Sequence, residues 1–180
     1  MEPASLEALL MRHGPAWVVP EGGSNAEGVR GCVALGEELA GSGADVVCCS
    51  VGTGGMLAGL AAGVAGAAGG AGGADTTGAP GTRVVGFAAL GHADLEAETL
   101  ALQRQAFGGR RGDWRIDASH VFGGYGRRTP ELDAFRIDFE ERHGLALDPS
   151  YEAKTLFALF AGLGGPEFGP GTTVVVVVAG

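Results

Sequence analysis

Ser50-Val51-Gly52-Thr53-Gly54-Gly55-Met56-Leu57-Ala58-Gly59-Leu60 is the stretch on which the reading of this 180-residue chain turns. An apolar run with β character, Ala44 to Val51, feeds into it, and a small-residue run of helical length, Met56 to Ala68, leaves it. Strand, glycine turn and helix in that order aim several backbone N–H groups and the positive end of a helix dipole at one spot. Gly52, Gly54 and Gly55 let the backbone curl close to an anion, and Thr53 adds a hydroxyl donor. The stretch reads either as a phosphate cradle or as a tight strand-to-helix turn in a chain that is glycine-rich throughout.

On both sides of this loop the pattern alternates. Upstream, Leu6, Leu9 and Leu10 predict a short helix over Ser5 to Arg12, ended by Gly14-Pro15, and Ala16 to Val19 reads as a short strand. Ser24 with Glu27 forms a capping box for a helix carrying Val29, Cys32, Val33, Gly36 and Leu39 on one face. Downstream, 65–81 is a Gly/Ala/Thr segment of low complexity, read as a surface insertion. Thr82 to Leu90 reads as a strand, Asp94 to Phe107 as a helix, Gly108 to Gly112 as a basic, mobile turn, and Trp114 to Gly126 as an irregular region with room for a short strand. Thr129-Pro130-Glu131 starts a helix with Leu132, Phe135 and Phe139 on one side, ended by Gly144. Asp148-Pro149-Ser150 starts another, with Leu156, Phe157, Phe160 and Leu163 on its apolar face. Thr172 to Val178 reads as a strand buried on both faces. Near-continuous apolar strands alternating with helices predict an α/β fold, a parallel sheet with helices on both faces, in a single domain over residues 1–180. Ligands in such folds bind at the carboxyl ends of strands, an end at which the last strand is expected to be cut short.

Charge narrows the function classes. Twenty-one acidic against twelve basic residues give a net charge of −9, which argues against a nucleic-acid partner. Lys154 is the single lysine. Cys48 and Cys49 are strand neighbours pointing to opposite faces and so are poor disulfide partners, which predicts free thiols, with Cys32, in a reducing, cytoplasmic compartment. The four histidines show no metal-ligand spacing, so no metal site is expected. Residues 1–13 lack the apolar core of a signal peptide, and the run from Met56 to Gly73 is too weakly apolar to predict a membrane span.

Three blocks occur in one order: Pro20-Glu21-Gly22-Gly23-Ser24-Asn25, the Ser50 to Leu60 stretch, and Gly123-Gly124-Tyr125-Gly126 through Leu147-Asp148-Pro149-Ser150-Tyr151-Glu152-Ala153-Lys154. Together they resemble the pyridoxal-phosphate-dependent family of 1-aminocyclopropane-1-carboxylate deaminase and D-cysteine desulfhydrase, which shares the tryptophan synthase β-subunit fold. The resemblance covers nearly the whole chain apart from the Gly/Ala segment. It implies that Gly52, Thr53, Gly54, Gly55 and Met56 bind the phosphate of pyridoxal phosphate. Many members carry Thr where Met56 stands, which removes one hydroxyl donor but leaves the main-chain donors. It implies that Glu152 faces the pyridine nitrogen and that Tyr151 and Tyr125 lie over the substrate, as catalytic residues. Tyr151-Glu152 matches the deaminase-type pair, where desulfhydrases more often carry Tyr-Thr. Ser24 and Asn25 match residues near the pocket, although a helix cap is a sufficient role for Ser24.

The family's covalent cofactor lysine lies in an N-terminal segment with no counterpart here, and Lys154 falls at a different family lysine. The resemblance therefore implies a chain shortened at the N-terminus and slightly at the C-terminus. Three functions follow: a deaminase or lyase for a small amino acid, as a fragment without its covalent lysine; a non-catalytic phosphate-ligand-binding fragment or pseudoenzyme; and, on Gly52-x-Gly54 alone, a dinucleotide-binding oxidoreductase. The last ranks lowest, because the strand Thr82 to Leu90 ends without an acidic residue for a ribose. A homodimer is implied by the resemblance alone.

Overall fold

Val46, Val47, Cys48, Cys49 and Val51 are all buried, and burial on consecutive positions makes β1 (Val46–Val51) a strand covered on both faces. The computed structural model describes residues 3–67, 81–91 and 94–179. Within them the chain runs α1 (Pro3–His13), a 3-10 turn (Glu21–Gly23), α2 (Ala26–Gly31), α3 (Val33–Ala40), β1, α4 (Gly55–Ala67), β2 (Arg83–Ala88), α5 (Leu95–Phe107), β3 (Trp114–Asp117), α6 (Pro130–His143), α7 (Glu152–Gly162) and β4 (Val174–Val176). The strands form one parallel sheet in the order β3-β2-β1-β4, with Val46 opposite Arg83 and Val174, and Val84 opposite Trp114.

Strand parity divides the core. Val47, Cys49 and Val51 pack in one cluster with Leu57, Leu60 and Val64 of α4, while Val46 and Cys48 join Leu156 and Leu159 of α7 and Leu132 of α6 on the other side. The α/β architecture with helices on both faces is therefore the one the sequence predicts. Thr129 caps α6 through a hydrogen bond from the Leu132 N–H at 3.2 Å, and Gly144 closes it at φ +68°. Among the described residues no helix is long and apolar enough to cross a membrane.

Several expectations are corrected. Residues 16–19 form no strand, and Trp17 is 97% exposed, because apolar β-formers make a strand only where a neighbour accepts their backbone groups. The helix expected from Ser24 to Leu39 is two helices, broken at Cys32 (φ −86°, ψ −5°). Its cap is Asn25, whose side chain accepts from the Gly28 N–H at 2.8 Å; Ser24 is engaged elsewhere. The basic turn after α5 is tied down: the Arg110 guanidinium lies 4.2 Å from the centre of the Trp114 ring and donates to the Trp114 carbonyl at 2.6 Å. Phe160 and Leu163 are exposed, and Leu156 and Leu159 carry the buried face of α7. The terminal strand is shorter than Thr172 to Val178 and only half-buried, since β4 pairs with β1 alone among the described residues. Of the Gly/Ala segment expected at 65–81, residues 65–67 continue α4 and 68–80 lie outside the described residues.

Candidate functional site

Parallel pairing puts the carboxyl ends of all four strands on one edge of the sheet. The chain leaves β1 toward β2 on one side and lies as β4 on the other, so β1 ends where the strand order reverses, the place where crevices form in such sheets. The loop from Gly52 to Gly54 emerges there and runs into α4. A cavity of about 590 Å³ opens over it, lined by Ser50 to Leu57, Glu21, Gly22, Leu90, Tyr125, Tyr151, Glu152 and Ala179. All eight residues singled out in the sequence (Gly52, Thr53, Gly54, Gly55, Met56, Tyr125, Tyr151 and Glu152) line this one cavity.

Each glycine of the loop has its own reason. Gly54 sits at φ +85°, and a Cβ there would lie 2.2 Å from Thr99 Oγ1, so the loop is pressed onto α5. A Cβ on Gly52 would meet the Tyr151 ring and hydroxyl at 3.3 Å, so this glycine makes room for the tyrosine. Gly55 opens α4, and the N–H groups of its first turn have no acceptor within the helix. Gly55, Met56 and Leu57 of that turn line the cavity, so the positive end of the helix lies at its wall. Met56 is half-buried and packs its side chain against the first core cluster, leaving its backbone at the helix start.

Thr53 and Ser24 form a pair the sequence reading did not assign. Their hydroxyl oxygens are 2.5 Å apart, and a Cβ on Gly22 would come within 2.5 Å of Thr53 Oγ1. The 3-10 turn at Glu21–Gly23 thus braces the loop from outside. The sequence signal for the pair is the Pro20 to Asn25 block itself, in which Ser24 with Glu27 also reads as a helix cap.

The opposite wall comes from the start of α7. Asp148 Oδ2 accepts from the N–H groups of Ser150 (2.8 Å) and Tyr151 (2.7 Å), closing the turn that presents Tyr151 and Glu152. Glu152 is 5% exposed, and its Oε2 is buried without a hydrogen-bond partner among the described residues. The ring of Tyr151 lies 5.8 Å from that of Tyr125, which is exposed at the cavity mouth. Burial raises the pKa of Tyr151 first, and hydrogen bonding to Tyr125 raises it further, so both favour the neutral phenol. Lys154 does not line the cavity. It is buried one turn on, donating to the carbonyls of Ala89 (3.0 Å), Val121 (3.0 Å) and Gly124 (2.6 Å).

No curated protein matches the chain. Among solved structures, one described as an ACC deaminase homologue superposes with a TM-score of 0.75 at 24% identity, over 97% of this chain and 52% of that one. The processed form of threonine deaminase isoform 2 from Solanum lycopersicum superposes with a TM-score of 0.52 at 16% identity, over 97% of this chain and 51% of that one. The likeness at these identities is one of fold, and the chain spans about half the length of the solved structures it matches. A sequence-family profile described as "Pyridoxal-phosphate dependent enzyme" matches residues 1–180, and on that match the chain belongs to the pyridoxal-phosphate-dependent enzymes.

Proposed function

We propose that these residues form the phosphate- and ring-holding part of a deaminase site for a small amino acid. The observation that carries the reading is Glu152: it lines the same cavity as a glycine loop at a helix N-terminus, and its Oε2 is buried without a hydrogen-bond partner among the described residues. An orphaned buried oxygen is costly unless a ligand satisfies it, and a protonated ring nitrogen is a donor of the right kind. The lining thus suits a phosphorylated heteroaromatic cofactor such as pyridoxal phosphate.

Gly54, Gly55 and Met56 bind the phosphate through main-chain N–H groups, with no lysine or arginine among the residues lining the cavity. Thr53, held by Ser24, fixes the loop against the 3-10 turn. Glu152 accepts a hydrogen bond from the ring nitrogen and keeps a proton there. The cofactor, when bound, supplies an electron sink for charge next to the amino group of the substrate. Tyr151, kept neutral by burial and by Tyr125, orients the substrate carboxylate or passes a proton, and Tyr125 covers the mouth. Deamination rather than desulfhydration rests on the Tyr151-Glu152 pair. The family resemblance carries a homodimer with it, and the free thiols of Cys32, Cys48 and Cys49 suit a reducing cytoplasm.

Lys154 favours a second element of this reading. Three carbonyls take its three N–H donors, so the single lysine of the 180 residues is not available to bond to the cofactor. The chain then holds pyridoxal phosphate without fixing it covalently, which is also how a non-catalytic binder would behave. Titration with pyridoxal phosphate and with unphosphorylated pyridoxal, followed by borohydride reduction and peptide mass mapping, tests both elements. The expected result is that the phosphorylated ligand binds at least about tenfold more tightly and that Lys154 carries no reduced adduct. Equal affinity for the two ligands would exclude the phosphate loop, and an adduct at Lys154 would exclude non-covalent holding.

A further inference from the structure

Lys154 is the largest buried charged side chain that the proposed chemistry leaves unused, at 1% exposure. Burial of an ammonium is expensive unless all its donors are met. Here they are met by backbone oxygens from two places: Ala89, just past the end of β2, and Val121 and Gly124 in the turn before Tyr125. Desolvation lowers the pKa of the ammonium, and the Asp148 carboxylate opposes that shift.

The turn it holds is a strained one. Phe122 takes φ +51°, a left-handed value rare for a residue with a Cβ, between Val121 and Gly123, which is itself at φ +83°. Such conformations persist only where the surroundings over-determine them. Two contacts from α7 do so here. Lys154 binds the carbonyls on either side of Phe122, and Phe157 receives the Phe122 ring edge-on at 4.9 Å.

We propose that Lys154 is the positioning residue for Tyr125: by clamping the 121–124 turn to α7 and to the end of β2, it sets Tyr125 against Tyr151 across the cavity mouth. One helix then fixes three parts of the wall. Tyr151 at its N-cap and Glu152 at its first position come from the helix directly, and Tyr125 comes through the ammonium three residues after Tyr151. The meaning of that wall for a substrate rests on the proposed deaminase site; its geometry does not.

The chain contains one lysine and two tyrosines, so selective isotope labelling gives an assigned probe at each end of the clamp. In the full chain the expected result is NOEs between the Tyr125 and Tyr151 rings, with Lys154 ammonium protons that exchange slowly and show NOEs to the turn. Lys154→Met keeps the apolar stem and removes the donors. The expected result is a folded variant, with its core methyl spectrum retained, that loses the ring–ring NOEs and moves the Tyr125 ring shifts to solvent-exposed values. A folded Lys154→Met chain that keeps those NOEs overturns the proposal, because a merely stabilising lysine would lower the melting point and leave the rings in place. If Lys154→Met does not fold, the wild-type ammonium decides. Slow exchange with NOEs to the turn supports the clamp, and fast exchange without them overturns it. Pyridoxal phosphate binding is read separately: lysine-dependent ring contacts in a chain that does not bind the cofactor would support the clamp while removing the proposed function.

Discussion

Gly52 and Gly54 stand two positions apart in one loop and answer to different neighbours. Gly54 needs its positive φ and has Thr99 where a Cβ would go, so Gly54→Ala destabilises the fold by more than about 2 kcal/mol in chemical denaturation. Gly52 has only the edge of Tyr151 in its way at 3.3 Å, and a side chain on a loop can swing aside. Gly52→Ala should cost less than about 1 kcal/mol of stability while weakening pyridoxal phosphate binding about tenfold by displacing Tyr151. At Glu152 stability and binding separate in the same sense. Glu152→Gln keeps the size and replaces a carboxyl whose Oε2 has no protein partner among the described residues, so stability changes by less than about 1 kcal/mol while cofactor affinity falls by about tenfold. The site's residue types were legible because glycines, tyrosines and a carboxylate in that order carry specific chemistry. Ser24 was not, since a serine followed three positions later by glutamate also spells a helix cap, and only the fold shows that Asn25 does the capping.

Helix α4 packs Leu57, Leu60 and Val64 onto the sheet and turns a nearly bare backbone toward α2 and α3, which is what lets α3 lie against it. A Cβ on Gly63 would fall 2.1 Å from the Val33 carbonyl oxygen, and one on Gly36 would fall 2.3 Å from that of Leu60. Gly59 meets the Val29 carbonyl of α2 in the same way, at 2.1 Å. These contacts are backbone to backbone and cannot yield by a rotamer change. Gly63→Ala therefore lowers stability by about 2–3 kcal/mol despite the better helix propensity of alanine. Gly66, three residues on in the same helix, has open space around it, and Gly66→Ala gains about 0.5–1 kcal/mol. Thermal or denaturant unfolding of the pair separates packing from propensity. The sequence located β1, β2, α5 and α6, where the apolar periods differ plainly, but it merged α2 with α3 and left β3 inside a region read as irregular. It misplaced Ala16 to Val19 and overstated the last strand for one reason: β-propensity reports what a residue suits, whereas pairing depends on which strand lies alongside.

Across the whole molecule the two faces of the sheet meet in β1, and its thiols record how dry that centre is. Burial pushes the pKa of both Cys48 and Cys49 up from an ordinary 9.0 to about 12. In the unfolded chain these thiols ionise first, so between pH 9 and 12 the folded state binds more protons. Their contribution is thus intact below pH 9 and is lost as pH rises through 12, at up to about 1.4 kcal/mol per thiol per pH unit. The double variant Cys48→Ala/Cys49→Ala has a flatter alkaline limb of stability against pH. The parallel α/β layout was legible from alternation alone, but the gathering of Gly52 to Met56, Tyr125, Tyr151 and Glu152 at one end of the sheet came only from the order of the three sequence blocks and the topology that joins them. The far edge of the same sheet offers a rival anion site, where Arg83 pairs with Asp113 at 3.0 Å and Arg115 pairs with Glu167. An amide-resolved NMR titration with pyridoxal phosphate distinguishes the two edges most directly. The account predicts the largest shifts at the N–H groups of Gly52 to Met56 and at Tyr151 and Glu152; shifts centred on Arg83 and Arg115, with the glycine loop unmoved, would contradict it.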